Sequence, residues 1–140
     1  LEKVDRHDLH ERVDFVGFLP YDELLDEIMT HDVLVAPSRT SPRGDSEGGA
    51  PVTMIAAQAT GMPVVSTTHA DIPHVVTDEE TGYLSPERDL DALVDNLRRI
   101  AADADRWAEM GHAARQRIER EFDSHKQGEK LAETYRELQD

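Results

Sequence analysis

Two short apolar runs constrain this chain more than any other feature. Asp32-Val33-Leu34-Val35-Ala36 and Pro63-Val64-Val65-Ser66-Thr67 are continuous rather than alternating. Continuous runs of β-branched residues suit parallel strands covered on both faces, whereas alternation marks a sheet with one wet face. Between them lies an apolar helical stretch, Val52 to Thr60, opened by Pro51 and closed by Gly61, the position of a C′ glycine. Val13 to Phe18 reads as an earlier strand stopped by Pro20, and Gly82-Tyr83-Leu84 as a short later one. Tyr21, Leu24, Leu25, Ile28 and Met29 recur at helical spacing. Strand alternating with helix predicts an α/β fold, a Rossmann-like doubly wound parallel sheet.

The second half reads as helical. Leu90, Leu93, Val94, Leu97, Ile100 and Ala101 form one stripe capped by Asp89. Trp107, Met110, Ala114, Ile118 and Phe122 form another, in which Trp107 serves packing. Ser124 through Gln127 fits a capping box before Leu131, Tyr135 and Leu138.

Charge narrows the function. Fifteen Lys and Arg stand against thirty Asp and Glu, a formal charge of −15 in 140 residues. Small soluble domains usually carry about 2–8 charges net. Nucleic acid demands a cationic footprint, so that partner class is excluded. Acid in this excess, with three lysines among the basic residues, suggests a halophile-like protein working in concentrated salt. The absence of Cys removes disulfides and thiolate chemistry. No apolar run reaches the roughly 18 residues of a spanning helix, so no transmembrane segment is expected and a cytoplasmic location is the default. The polar start without Met suggests a piece of a longer protein.

Chemistry concentrates between Ser38 and Pro51. In an open parallel sheet, ligands bind beyond the carboxyl ends of the strands. This loop leaves such an end, carries Gly48 and Gly49, and enters a helix whose first-turn N–H groups favour a phosphate. Glu47 is a poor neighbour for phosphate but a good acceptor for neutral hydroxyls, as on a sugar. Arg39 and Arg43 are candidates to reach a diphosphate. Of seven His, His69 and His74 flank Asp71 without a third ligand at metal-site spacing, so a loop or surface role is expected for both. No base stands near Ser38, which leaves a serine hydrolase unsupported.

The run Asp45-Ser46-Glu47-Gly48-Gly49-Ala50-Pro51-Val52-Thr53-Met54-Ile55-Ala56-Ala57-Gln58-Ala59-Thr60-Gly61-Met62-Pro63-Val64-Val65-Ser66-Thr67 resembles the donor-site signature of retaining, family 4-type glycosyltransferases, the glycosyltransferases group 1 of GT-B fold. Val13 to Pro20, Val33 to Ser38, Asp71-Ile72-Pro73 with Val75-Val76, and Thr81-Gly82-Tyr83-Leu84 fall in the same order and spacing, so the likeness covers nearly the whole chain. It implies one unit, residues 1–140, forming part of a carboxyl-terminal nucleotide-sugar-binding domain. The substrate would be a UDP-, GDP- or ADP-sugar, with no metal and no other cofactor. Carried over, Glu47 would contact the donor sugar, Gly48, Gly49, Ala50 and Pro51 would frame the diphosphate, and Gly17, Phe18 and Leu19 would pack on the base. Ala56 stands where the family has a glutamate for the donor ribose, a departure that weakens the site.

The resemblance further implies that upstream strands, a basic pair and an acceptor domain lie outside this chain. The acceptor, a glycan or lipid-linked, would meet that missing domain, peripheral to the inner membrane face. The chain alone would then be inactive, and its truncated sheet edge would offer a surface for self-association. Two alternatives stay open: a non-catalytic α/β nucleotide- or protein-binding module, favoured by Ala56, and a flavodoxin-like or receiver-type domain, which lacks its expected acid cluster here.

Overall fold

The computed structural model describes residues 2–46 and 49–138. Its elements run α1 (Glu2–Arg6), α2 (Tyr21–Ile28), β1 (Leu34–Val35), α3 (Val52–Ala59), β2 (Val64–Thr67), α4 (Ile72–Val75), β3 (Gly82–Ser85), α5 (Leu90–Ala102), a 3-10 turn (Ala104–Arg106), α6 (Trp107–Glu121) and α7 (Ser124–Glu137). The three strands are parallel in the order β1-β2-β3, with Leu34 beside Val64 and Val65 beside Tyr83.

Continuous apolarity has the predicted consequence. Successive side chains of a strand point to opposite faces, and in β2 both faces are covered. Val64 packs with Met54 of α3, Ile72 and Val75 of α4, and Ile118 of α6. Val65 packs with Tyr83, Ile100 of α5 and Met110 of α6, with Trp107 against them. Each fully buried aliphatic or Met side chain of this kind contributes about 1.5–3 kcal/mol. Helices therefore line both sides of the sheet, the Rossmann-like arrangement expected. Trp107 is a packing residue, and its Nε1 donates to the Ile100 carbonyl at 2.7 Å.

Local signals also hold. Gly61, at φ +86°, closes α3. The Gly61 amide donates to Gln58 O at 3.0 Å and the Met62 amide to Ala57 O at 3.0 Å, a full Schellman motif. Asp89 caps α5 by accepting from the Ala92 amide at 3.0 Å. Gln58, fully buried, donates from Nε2 to the Val75 carbonyl at 3.1 Å and ties α3 to α4.

Three expectations change. Val13 to Phe18 forms no strand, and Phe15, Val16 and Phe18 are exposed, the last at 98%. A strand needs a hydrogen-bonded neighbour, and among the described residues none lies beside this segment. β1 is shorter than the apolar run, two residues paired with β2 alone, and Val35 is 45% exposed at the sheet edge. The cap of α7 is Asp123, not Ser124: its Oδ1 accepts from the Lys126 amide at 3.0 Å. A carboxylate one residue earlier out-competes the hydroxyl as an acceptor for first-turn amides.

Candidate functional site

The carboxyl ends of the three strands converge on one group of loops. Ser66 Oγ donates to the Ala36 carbonyl at 2.7 Å, and Thr67 Oγ1 donates to the Ser38 carbonyl. The side chains of β2 thus hold the start of the loop that leaves β1. Further along, that loop folds on itself. Ser41 Oγ accepts from the amides of Arg43 at 3.2 Å and Asp45 at 3.1 Å, and Gly44 turns the chain at φ +85°.

His69 and Glu87 join this loop to the two that follow β2 and β3. His69 Nδ1 lies 2.7 Å from Glu87 Oε1, and its Nε2 lies 3.3 Å from Ser46 Oγ. A carboxylate only accepts, so Nδ1 donates to Glu87, while Nε2 faces the Ser46 hydroxyl. The other Glu87 oxygen accepts from the Thr40 amide at 2.9 Å, and Arg88 donates to the Thr40 carbonyl at 3.0 Å. His69 lies in a loop, one of the two expected placements, but at 3% exposure it is buried and not on the surface. Ser38, Arg39, Ser41, Asp45, Ser46 and His69 line a cavity of about 390 Å³ here.

The Thr40 amide, and after it the His69 ring, hold the Glu87 carboxyl below the usual carboxylate range. A carboxylate whose folded pKa is depressed contributes stability above its unfolded value, about 4.3, and loses it as pH falls through the lower folded value. Compared with Glu87→Gln, the native chain is expected to be more resistant to urea at pH 6, with the gap closing as the pH falls below about 4.5. A gap that widens on acidification would refute this pairing.

At the far end of the loop, Gly49 takes φ +95°, a conformation open to glycine, and leads into α3 through Ala50 and Pro51. Val52 and Thr53 occupy the first turn, where a helix has no acceptors for its own amides. Both are exposed, and Pro51 offers no side-chain cap. Ala50 packs on the Met54–Val64 cluster, which fixes the entry angle. Glu47 and Gly48 lie outside the described residues.

Ala56 sits one turn into α3, against a cluster of Ile28, Ala57 and Met62 flanked by Leu24 and Leu34. Gly17, at φ +74°, and the fully exposed Phe18 lie on the unpaired segment. Among the described residues no hydrogen bond ties Gly17, Phe18 or Leu19 to the Ser38–Pro51 loop. Sequence reading pointed to the loop and helix end and gave no part to the bonds that join His69, Glu87 and Thr40. The signal was faint: a histidine two positions past a strand.

A parallel α/β sheet with a glycine-bearing loop entering a helix at a strand's carboxyl end is the open-sheet architecture in which ligands bind outside the carboxyl ends of the strands. Comparison with known proteins sharpens that class. The chain belongs to the family described as Glycosyl transferases group 1, which matches residues 1–103. It is 37% identical over 94% of its length to the amylovoran biosynthesis glycosyltransferase AmsK of Erwinia amylovora. It is 37% identical over 85% of its length to the putative colanic acid biosynthesis glycosyltransferase WcaL of Escherichia coli. It covers 32% and 29% of those relatives, so the chain spans about a third of their length.

Among solved structures, sucrose-phosphate synthase from Thermosynechococcus elongatus superimposes with a TM-score of 0.82 at 29% identity, over 98% of this chain and 33% of that one. Anabaena HepE, solved with UDP, superimposes at 0.83 with 21% identity over 97% of this chain and 35% of that one, a likeness of fold. No described helix is long and apolar enough to cross a membrane.

Proposed function

We propose that this chain is the donor-binding part of a retaining, family 4-type GT-B glycosyltransferase, residues 1–140 forming part of its carboxyl-terminal domain. The whole enzyme moves a hexose from a nucleoside diphosphate to a glycan or lipid-linked acceptor, without a metal. The observation that carries the reading is the junction of Gly49 with α3 at the carboxyl end of β1. Family membership supports it, as do relatives named for polysaccharide biosynthesis and for GDP-mannose-dependent mannosyl transfer. HepE, the fold neighbour, was solved with UDP and with UDP-glucose.

In this reading the diphosphate lies at the amino end of α3, where amides without intrahelical acceptors and the helix dipole meet it. Those groups stabilise the charge that grows on the leaving diphosphate during transfer. Gly48, Gly49 and Ala50 supply backbone without a side chain large enough to obstruct the approach. Glu47 accepts hydrogen bonds from the sugar hydroxyls and fixes the anomeric carbon against the cleft. Gly17, Phe18 and Leu19 pack on the base, which accounts for an aromatic ring left fully exposed. The acid-rich surface fits work in concentrated salt, at the cytoplasmic face where sugar nucleotides are spent.

Ala56 favours a second reading, a non-catalytic nucleotide-binding module. Its methyl faces an apolar cluster where the family places a ribose-binding carboxylate. Calorimetric titration of this chain with UDP, GDP and ADP in high-salt buffer separates the readings. Saturable binding of one nucleotide supports the donor site. A folded chain that binds none of the three rejects donor binding by this part alone and moves the second reading ahead.

A further inference from the structure

A larger cavity, of about 550 Å³, opens on the α5 side of the sheet, where the carboxyl ends of the strands meet the start of that helix. Its floor is apolar, made by Leu90 and Leu93 of α5 and by Pro86 just before it. Leu93 packs into the Val65–Tyr83 cluster, whereas Leu90 is 68% exposed. Thr67 and Ser85 also line the cavity, but each hydroxyl already donates inside the protein, to the carbonyls of Ser38 and Ser66. Donors for a ligand must therefore come from the rim. There Lys3 of α1 meets Arg39 and Arg88, from the loops after β1 and β3, and all three are exposed.

Three cations on one rim stand out in a chain of formal charge −15 with only three lysines. They repel one another, and an anion between them relieves that repulsion. The one carboxylate on the lining, Asp89, is committed to capping α5, its Oδ1 accepting from the Ala92 amide at 3.0 Å. Arg88 spends an N–H on the Thr40 carbonyl at 3.0 Å, which holds the guanidinium in place with donors to spare. Paired guanidinium N–H groups match phosphate oxygens, and the exposed Leu90 beside them suits hydrocarbon. We propose that this cavity binds a phosphate monoester carried on an apolar stem, an alkyl phosphate in chemical class, with the phosphate held by Arg39, Arg88 and Lys3 and the stem on Leu90 and Leu93. The site goes beyond the donor reading and stands apart from the amino end of α3. It shares only Ser38 and Arg39 with the 390 Å³ cavity of the donor loop.

The test titrates octyl phosphate, kept below its micelle concentration, into the 140-residue chain by calorimetry in high-salt buffer. Salt screens the long-range repulsion between an anion and this acidic chain, and acts less on groups in a partly buried contact. Inorganic phosphate and 1-octanol each carry one half of the probe. Arg39→Gln and Leu90→Ser change exposed side chains, so both variants keep the fold. Arg115→Gln removes the same charge from α6, beside the residues that lead into β2 at the opposite end of the strands. Octyl phosphate is expected to saturate a single site at least about tenfold more tightly than either half. Arg39→Gln and Leu90→Ser should each weaken it about fivefold or more, and Arg115→Gln less than about twofold.

No binding of octyl phosphate, or equal affinity for either half, would overturn the proposal. So would equal losses in Arg39→Gln and Arg115→Gln, which would reduce the effect to general charge. Displacement of octyl phosphate by UDP, GDP or ADP would make this the nucleotide's own site and overturn it too. The nucleotide titrations judge the donor reading separately: a chain that binds a nucleotide and no octyl phosphate keeps that reading and loses this site, and the reverse result keeps this site alone.

Discussion

Gly111→Ala is expected to destabilise the fold by about 3 kcal/mol, a drop of roughly 10 °C in Tm for a domain of this size. Gly111 lies in α6 where that helix crosses the end of α3. A methyl group at Gly111 would stand 2.0 Å from the carbonyl oxygen of Gly61 and 3.0 Å from its carbonyl carbon. Both are backbone atoms, so no side chain can rotate aside. Gly61 cannot retreat either, because its φ of +86° and the Schellman bonds at 3.0 Å fix it as the end of α3. The whole of α6 must lift, and Met110 and Ile118 on the same helix leave the two clusters that cover the sheet.

Alanine is the better helix former by about 0.5–1 kcal/mol, which offsets only part of that cost. Gly128→Ala is the matched control. It makes the same chemical change inside α7, where an added methyl meets nothing within 4 Å. Gly128→Ala should leave Tm equal or slightly raised. Thermal unfolding followed by circular dichroism decides the matter: a Gly111→Ala chain melting within about 2 °C of the native one would show that α3 and α6 do not approach so closely.

Ala56→Glu is expected to tighten nucleotide binding at least about tenfold, or roughly 1.4 kcal/mol. Position 56 lies one turn past Val52 on the same face of α3, and Val52 is exposed at the mouth of the helix end. Side chains on a helix lean toward its amino terminus. A glutamate at 56 would therefore point along α3 toward the proposed nucleotide and accept from ribose hydroxyls. A charged hydrogen bond there carries about 1.5–3 kcal/mol. The loss against it is a half-buried carboxylate beside Leu24 and Leu34, which takes back part of that gain. Paired titrations of the native chain and the variant with UDP, GDP and ADP measure the difference. Equal affinities would mean that the ribose does not pass over α3, and the proposed placement of the nucleotide would have to be abandoned.

Much of this molecule was legible because its determinants are local. The end of α3 at Gly61 follows from one glycine in a left-handed conformation, and the start of α5 from one aspartate three residues before the amide it receives. Burial of β2 on both faces follows from an unbroken apolar run, and the helix end that makes the candidate phosphate site from a glycine-bearing loop ahead of Pro51. Glu47 and Gly48, the centre of that loop in the sequence reading, lie outside the described residues, and their roles rest on resemblance.

The sequence by itself therefore determined the class of fold and the faces of its helices, and it singled out the loop on which the proposed site rests. Each of these is set by periodicity or by a single residue's backbone preference within a few positions. The tertiary structure alone decided what depends on distant neighbours. Val13 to Phe18 has strand composition, yet it pairs with nothing described, because a strand is completed by another strand's hydrogen bonds. His69 stands 18 residues from Glu87 and 23 from Ser46, and no spacing rule brings them together. They meet because three parallel strands end side by side, which places loops far apart in sequence within hydrogen-bonding distance.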